Sequence, residues 1–237
     1  MKSKIVFFII MLFSLVGMKA EKIQHFEAKV GEFKNLVVID NINVEYICNP
    51  DSAGLAVFDA LPAMANQMIF SNNGKGKLQI NVGTDSVNHP NLPLIKVYST
   101  YLQEAVNDGD STLTIAKVAP APSVKFKLSD NGRIIIKDVQ ATDVELAILT
   151  GKGEIQASGK CTNLFMRNMG TGTILAEGVK ATDVSCRLLG TGKVYCTVDG
   201  GLLTIKGSGT GKVYYRGTPK EIKSFQIGTI KAIHQED

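Results

Sequence analysis

The stretch Gly170-Thr171-Gly172-Thr173-Ile174 has three close copies in the C-terminal half of this chain of 237 residues. The copies are GKGEI at 151–155, GTGKV at 190–194 and GTGKV at 209–213. Successive copies begin 19 or 20 residues apart, a weaker copy (DNGRI) begins at residue 130, and Gly228-Thr229 follows at the same spacing. Such self-similarity at a fixed period is typical of solenoid folds, in which each repeat forms one coil.

Apolar and polar residues alternate directly after each glycine pair. In the copy at 190–194, Val194 and Cys196 are apolar whereas Lys193 is charged. Alternation with a period of two marks a strand with one buried face, and a second alternating run ends just before each pair, as at Val184 and Cys186. The absence of a helical period then predicts an all-β fold: a parallel β-solenoid with coils of 19–20 residues.

The repeated glycines are the strongest argument against other all-β folds. A sandwich or barrel would also contain short strands, but it gives no reason for glycine pairs to return in register. In a solenoid every coil turns the same corner, and glycine reaches positive φ at little cost. A nucleotide-binding glycine loop would have to be followed by a helix, and the sequence after each glycine pair does not have a helical pattern. The predicted corner glycines are Gly151, Gly153, Gly170, Gly172, Gly190, Gly192, Gly209 and Gly211.

Two further features set the domain organisation. Residues 1–20 are predicted to be a signal peptide, because lysines precede an apolar run, Ile5 to Val16, that is too short to span a membrane. Residues 21–237 are predicted to be a single solenoid domain without a membrane span. Its coils are expected to be irregular over 21–129 and regular over 130–233, and the stretch from Ala60 to Gln67 is expected to form either one helical turn or a bulged loop.

Charge and composition restrict the classes of partner that the protein is expected to bind. The whole chain carries +4, but without residues 1–20 it has 23 basic against 22 acidic residues. Tryptophan is absent and aromatic residues make up only 7% of the chain. A nearly neutral chain poor in aromatic residues is not expected to bind nucleic acid, and no motif calls for a cofactor or metal.

The chain also resembles a known family, the auto-transporter adhesin, head GIN domain family, common among exported proteins of Bacteroidetes. The resemblance runs from Phe33-Lys34-Asn35-Leu36-Val37-Val38, through Gly76-Lys77-Leu78-Gln79-Ile80 and the GTG repeats, to Val213-Tyr214-Tyr215-Arg216-Gly217-Thr218-Pro219. It implies a right-handed β-helix of the pectate-lyase-like class in the cell envelope or outside the cell. The family's adhesin label brings no catalytic or ligand-binding residues.

One set of outward positions is a candidate binding face. Before successive corners the same offset holds Arg167, Arg187 and Lys206, and after the corners come Lys193 and Lys212, with Tyr195 and Tyr214 nearby. A stripe of basic and aromatic groups could bind an extended glycan, with tyrosine faces against sugar rings, or a protein partner. The alternative is an ordinary solvated strand face.

Three functional classes remain open. The first is an exported, non-enzymatic interaction protein, an adhesin in the periplasm, on the outer surface or outside the cell. The second is a β-helical polysaccharide lyase or hydrolase, but Asp143 and Asp183 are separated by the coil of Asn163, about 10 Å apart at usual strand spacing. The histidines (His25, His89, His234) are dispersed along the chain. The third is a structural component of the envelope.

The cysteines and the ends of the solenoid give the last expectations. Cys186 and Cys196 fall on inward positions and are predicted to fill the core, whereas the pairing state of Cys48 and Cys161 is left open. Solenoid ends need caps, and the candidates are residues 21–32 and the tail 234–237. An uncovered end would permit an end-to-end or edge dimer.

Overall fold

The structure, a computed structural model, describes residues 22–83 and 92–236. The predicted signal peptide and His89 lie outside the described residues. The strands before the regular coils are β1 (Gln24–Lys29), β2 (Asn35–Ile39), β3 (Val44–Cys48), β4 (Leu55–Ala60), β5 (Met68–Asn72), β6 (Lys77–Val82), β7 (Ile95–Ser99), β8 (Glu104–Asp108), β9 (Thr112–Lys117) and β10 (Ala121–Ser129). The others are β11 (Arg133–Ile148), β12 (Glu154–Asn168), β13 (Thr173–Gly190), β14 (Lys193–Val198), β15 (Leu202–Gly209), β16 (Lys212–Gly217), β17 (Glu221–Gly228) and β18 (Lys231–His234). A 3-10 turn covers Pro50–Ser52, and helix α1 covers Pro62–Ala65, inside the region where either one helical turn or a bulged loop was expected.

Parallel stacking of successive coils confirms the predicted β-solenoid. The chain makes about seven turns with coils about 20 residues apart. Strand pairing joins residues at the same offset from each corner: Ile155 lies beside Ile174, Ile174 beside Val194, and Val194 beside Val213. All of these side chains are fully buried, so that like residues stack on like along the core.

Two parallel sheets meet at the glycine corner. We call the strands before the corner the pre-corner sheet; it contains β8, β10, the second halves of β11 to β13, β15 and β17. The strands after the corner form the post-corner sheet, which contains β9, the first halves of β11 to β13, β14, β16 and β18. The apolar side chains between the sheets form the core, and the opposite side chains face outward.

The N-terminal coils do not stack in chain order. Strands β2 and β3 lie between the coil of β6 and β7 and the coil of β8 and β9. Beyond β6 and β7 the solenoid continues into antiparallel strands: β5 pairs with β6, and β4 joins β7 to β1. Residues 24–29 therefore lie at this end of the stack, as expected of a cap.

The C-terminal tail, residues 234–237, begins at the last residue of β18, which lies at the other end of the stack. Strand β18 continues the parallel post-corner sheet next to β16, and the N–H of Gln235 donates to the carbonyl oxygen of Tyr215 at 2.9 Å.

The corner glycines serve two purposes, of which sequence reasoning identified one. Gly151, Gly190 and Gly209 adopt positive φ (82°, 125° and 120°), as expected at a tight corner, whereas Gly170, the first glycine of the remaining pair, does not. The second glycine of each pair does not adopt positive φ. At Gly172 a Cβ atom would overlap the carbonyl oxygen of Gly153 in the preceding coil, so this glycine is required by the close approach of two backbones.

Candidate binding face

The seven residues of the predicted face lie in consecutive coils but on two sheets. Arg167, Arg187 and Lys206 occupy the same register on the pre-corner sheet and form what we call the arginine column. Lys193 and Lys212 are paired on the post-corner sheet, as are Tyr195 and Tyr214. The glycine corner separates the two groups, so the structure does not bring them together on one flat surface.

Tyr195 and Tyr214 stack on each other. Their ring centroids are 4.5 Å apart and their planes differ by only 8°, because neighbouring coils place the same ring at nearly the strand spacing. Burial raises the pKa of the Tyr195 hydroxyl group, and the nearby Tyr214 and Glu177 raise it further. The facing ring surfaces are already occupied, so a sugar could reach only the ring edges, the hydroxyl groups and the two outer ring surfaces.

A column of lysines runs beside this tyrosine pair. Lys193 and Lys212 are followed in register by Lys231, and we call the three residues the lysine column. All three are exposed, and in the described part of the chain none lies within ion-pair distance of a carboxylate. Sequence reasoning missed Lys231, although it stands three residues after Gly228, at the offset of the other two lysines.

The arginine column is partly neutralised at one end. The Nη2 atom of Arg167 is 3.9 Å from the Oε1 atom of Glu145 in the preceding coil. Arg187 and Lys206 are exposed and have no carboxylate partner among the described residues, while the Lys206 ammonium group lies 5.8 Å from the centroid of the Phe225 ring. Unpaired positive charge is therefore concentrated towards the last coils on both sheets.

The carboxylates that could support an enzyme lie within the long strands β11 and β13 and are hydrogen-bonded there. The side-chain amide of Asn163 donates to Asp143 Oδ1 at 2.7 Å, and the N–H of Leu202 donates to Asp183 Oδ1 at 2.7 Å. The register places Asn163 between the two aspartates, so the three side chains form one column across neighbouring coils. No group of three or more His, Cys, Asp or Glu side chains suited to a metal ion occurs among residues 22–83 and 92–236.

All four cysteines are free thiols in the structure. Cys186 and Cys196 are fully buried, which confirms their predicted place in the core. Cys161 is half-buried, and burial together with the charge of Asp143 raises the pKa of its thiol to about 11.

This shift predicts slow alkylation of Cys161 in the folded protein. At pH values well below 9 the thiolate fraction should be about 100-fold smaller than for a thiol with a pKa of 9, and it should rise tenfold per pH unit up to about pH 11. Mass spectrometry after timed iodoacetamide treatment measures the rate, with the protein in denaturant as the control in which all four thiols react. A native rate equal to that of a free thiol would contradict the prediction.

The structure therefore defines an all-β solenoid whose outer faces carry stacked columns of like side chains. Residues 32–219 match the family described as "Putative auto-transporter adhesin, head GIN domain", and the chain belongs to that family. No curated protein matches the chain. The described residues contain no helix of sufficient length and apolar character to cross a membrane.

Several solved structures share this fold. A "putative adhesin" from Bacteroides fragilis has a TM-score of 0.78 at 17% identity, over 91% of this chain and 98% of its own. A "putative adhesin" from Parabacteroides distasonis has a TM-score of 0.73 at 16% identity, over 90% and 97%. A "putative lipid binding protein" from the same species has a TM-score of 0.68 at 18% identity, over 90% and 97%. At such identities the likeness shows the fold alone.

Proposed function

We propose that this protein is an exported interaction protein of the cell envelope or cell surface, an adhesin without catalytic activity. Membership of the adhesin family supports this role. The predicted signal peptide at residues 1–20 supports export. The carboxylates of Asp143 and Asp183 accept hydrogen bonds from residues in the next coil, which favours a structural role for them over acid–base chemistry.

The observation that carries the binding role is the unpaired lysine column beside the stacked tyrosines. Lys193, Lys212 and Lys231 repeat at the strand spacing of about 4.8 Å along the solenoid axis. Regularly spaced positive charges suit a linear partner with regularly spaced anionic groups, and the neighbouring tyrosine hydroxyl groups can donate or accept hydrogen bonds. The proposed partner is an extended anionic glycan lying along the post-corner sheet; the alternative is an acidic protein surface.

Charge reversal of this column is expected to abolish most of the binding. In the Lys193→Glu/Lys212→Glu variant the charge changes by four units, and at roughly 0.5 kcal/mol per unit for exposed pairs the affinity should fall about 30-fold. The measurement is binding to immobilised host and bacterial glycans at low and high salt, since exposed charge pairs are screened by salt.

The chain offers a closely matched control. Lys160 and Lys180 are also stacked in neighbouring coils and exposed, but they lie on the segment between the two sheets. Lys160→Glu/Lys180→Glu makes the same charge change and should leave glycan binding intact. Equal losses in both variants would contradict a role for the lysine column, and cleavage of any glycan chain, with or without calcium, would contradict the non-catalytic role.

A further inference from the structure

The outer face of the pre-corner sheet differs from the rest of the surface. We define the basic-apolar face as the three outward columns of its last four strand segments that lie nearest the glycine corner, the columns that begin at Phe165, Arg167 and Met169 and end at Lys223, Phe225 and Ile227. Four of its side chains are large, apolar and exposed: Phe165, Met169, Phe225 and Ile227. Ile227 is 78% and Phe225 62% exposed, and this one face holds half of the exposed large hydrophobic side chains of the described residues. They form two pairs, Phe165 with Met169 beside β12 and Phe225 with Ile227 on β17, and two strands separate the pairs. Exposed apolar clusters can mark interaction surfaces.

The middle of the same face is cationic. The arginine column runs through it, and Lys223 adds a fourth basic side chain at the register of Phe165. Serine, threonine and leucine fill the remaining positions, so the twelve positions include no acidic residue.

Carboxylates appear only at the borders of this face. Glu145 lies beside Phe165 in the preceding coil, and the next column holds Asp183 and Glu221. Asp183 accepts a backbone N–H, and Glu221 pairs with Lys223 at 3.4 Å. Arg187 and Lys206, at the centre, have no carboxylate partner in the part of the chain that the structure describes. The face therefore carries net positive charge together with apolar side chains.

We infer that the basic-apolar face docks on the surface of an anionic lipid bilayer. The face spans about 14 Å across four strands and about 13 Å along each strand. A bilayer surface supplies anionic head groups for the cations and an acyl boundary for the apolar side chains at the same time. A soluble glycan would pair with the arginine column but would leave Phe165, Phe225 and Ile227 in water.

This inference goes beyond the proposed adhesin role and uses the other sheet. A protein held on a lipid surface by its pre-corner sheet would keep the lysine column, beyond the glycine corner, available for a second partner. The two roles can therefore be tested separately with variants on either side of the corner.

The test is flotation of the purified protein with phosphatidylcholine vesicles, with and without added phosphatidylglycerol. The protein should float only with the anionic vesicles. Arg187→Ser/Lys206→Ser should weaken this binding about 25-fold, at about fivefold per basic side chain near an anionic surface. Phe165→Ser/Phe225→Ser should also weaken it and should remove the binding that persists at high salt.

The matched control is Lys193→Ser/Lys212→Ser, which removes two charges from the post-corner sheet and should float like the unmodified protein. Thermal unfolding of each variant establishes that it is folded. The inference is overturned if the protein does not distinguish the two kinds of vesicle, or if the control loses as much binding as Arg187→Ser/Lys206→Ser. It is also overturned if soluble polyphosphate binds the unmodified protein and the Phe165→Ser/Phe225→Ser variant equally and displaces both from vesicles, because the partner would then be a soluble polyanion.

Discussion

Replacing Gly172 by alanine is expected to lower the free energy of unfolding by about 4 kcal/mol or to prevent folding altogether. A Cβ atom at this position would overlap the carbonyl oxygen of Gly153 and lie 3.0 Å from Cδ1 of Ile148. The coils cannot separate locally, because the N–H of Thr173 donates to the same Gly153 oxygen at 3.1 Å. Denaturant unfolding followed by circular dichroism measures the loss.

Gly200→Ala is the matched control for this prediction. Gly200 adopts a φ of 75°, but a Cβ atom there would meet nothing within 4 Å. The substitution should lower the free energy of unfolding only by the cost of placing alanine in a left-handed conformation, about 1–2 kcal/mol. If Gly172→Ala lost no more stability than Gly200→Ala, the close approach of neighbouring coils would not explain the second glycine of each pair.

The regular coils could be predicted from sequence because each corner repeats the same offsets. Alternation after each glycine pair identified the inward residues, and the period identified their neighbours in the next coil. The second reason for the glycines was not predicted, since contact between the Gly153 and Gly172 backbones depends on the distance between coils. Nothing in a single repeat encodes that distance.

The N-terminal stacking order could not be predicted in the same way. Strands β2, β6 and β8 all alternate, so each offers an apolar face that could stack on either of the others. The order in which β2 lies between β6 and β8 is decided by long-range pairing and by the excursion through β4, α1 and β5. Local sequence patterns carry no information about such a choice.

The candidate face was predicted in part. Periodicity placed the basic and tyrosine side chains in columns, but it did not show that the glycine corner divides them between two sheets. The stacking of Tyr195 on Tyr214 follows from their shared register and could have been predicted. The apolar side chains of the basic-apolar face were not predicted as part of a binding surface, although Phe165 and Phe225 stand at outward positions of the alternation.

The corner also contains a buried asparagine that periodicity did not single out. The side-chain amide of Asn168 donates to the carbonyl oxygens of Gly172 at 2.8 Å and Lys193 at 3.3 Å, and its Oδ1 atom accepts the N–H of Gly170 at 3.2 Å. It lies in register with Ile148 and Leu188, where an apolar residue is the rule. Asn107 acts similarly in an earlier coil, donating to Ser111 and Arg133.

Asn168→Ala is therefore expected to destabilise the protein by about 3 kcal/mol, because it removes three side-chain hydrogen bonds at the corner and opens space in the core. Asn163→Ala is the control on the same strand, since Asn163 is less buried and makes a single side-chain bond, to Asp143. It should cost about 1 kcal/mol or less. Denaturant unfolding compares the two, and similar costs would show that the corner is stabilised by backbone pairing alone. The larger loss at Asn168 would instead show that polar side chains inside the core hold one coil to the next.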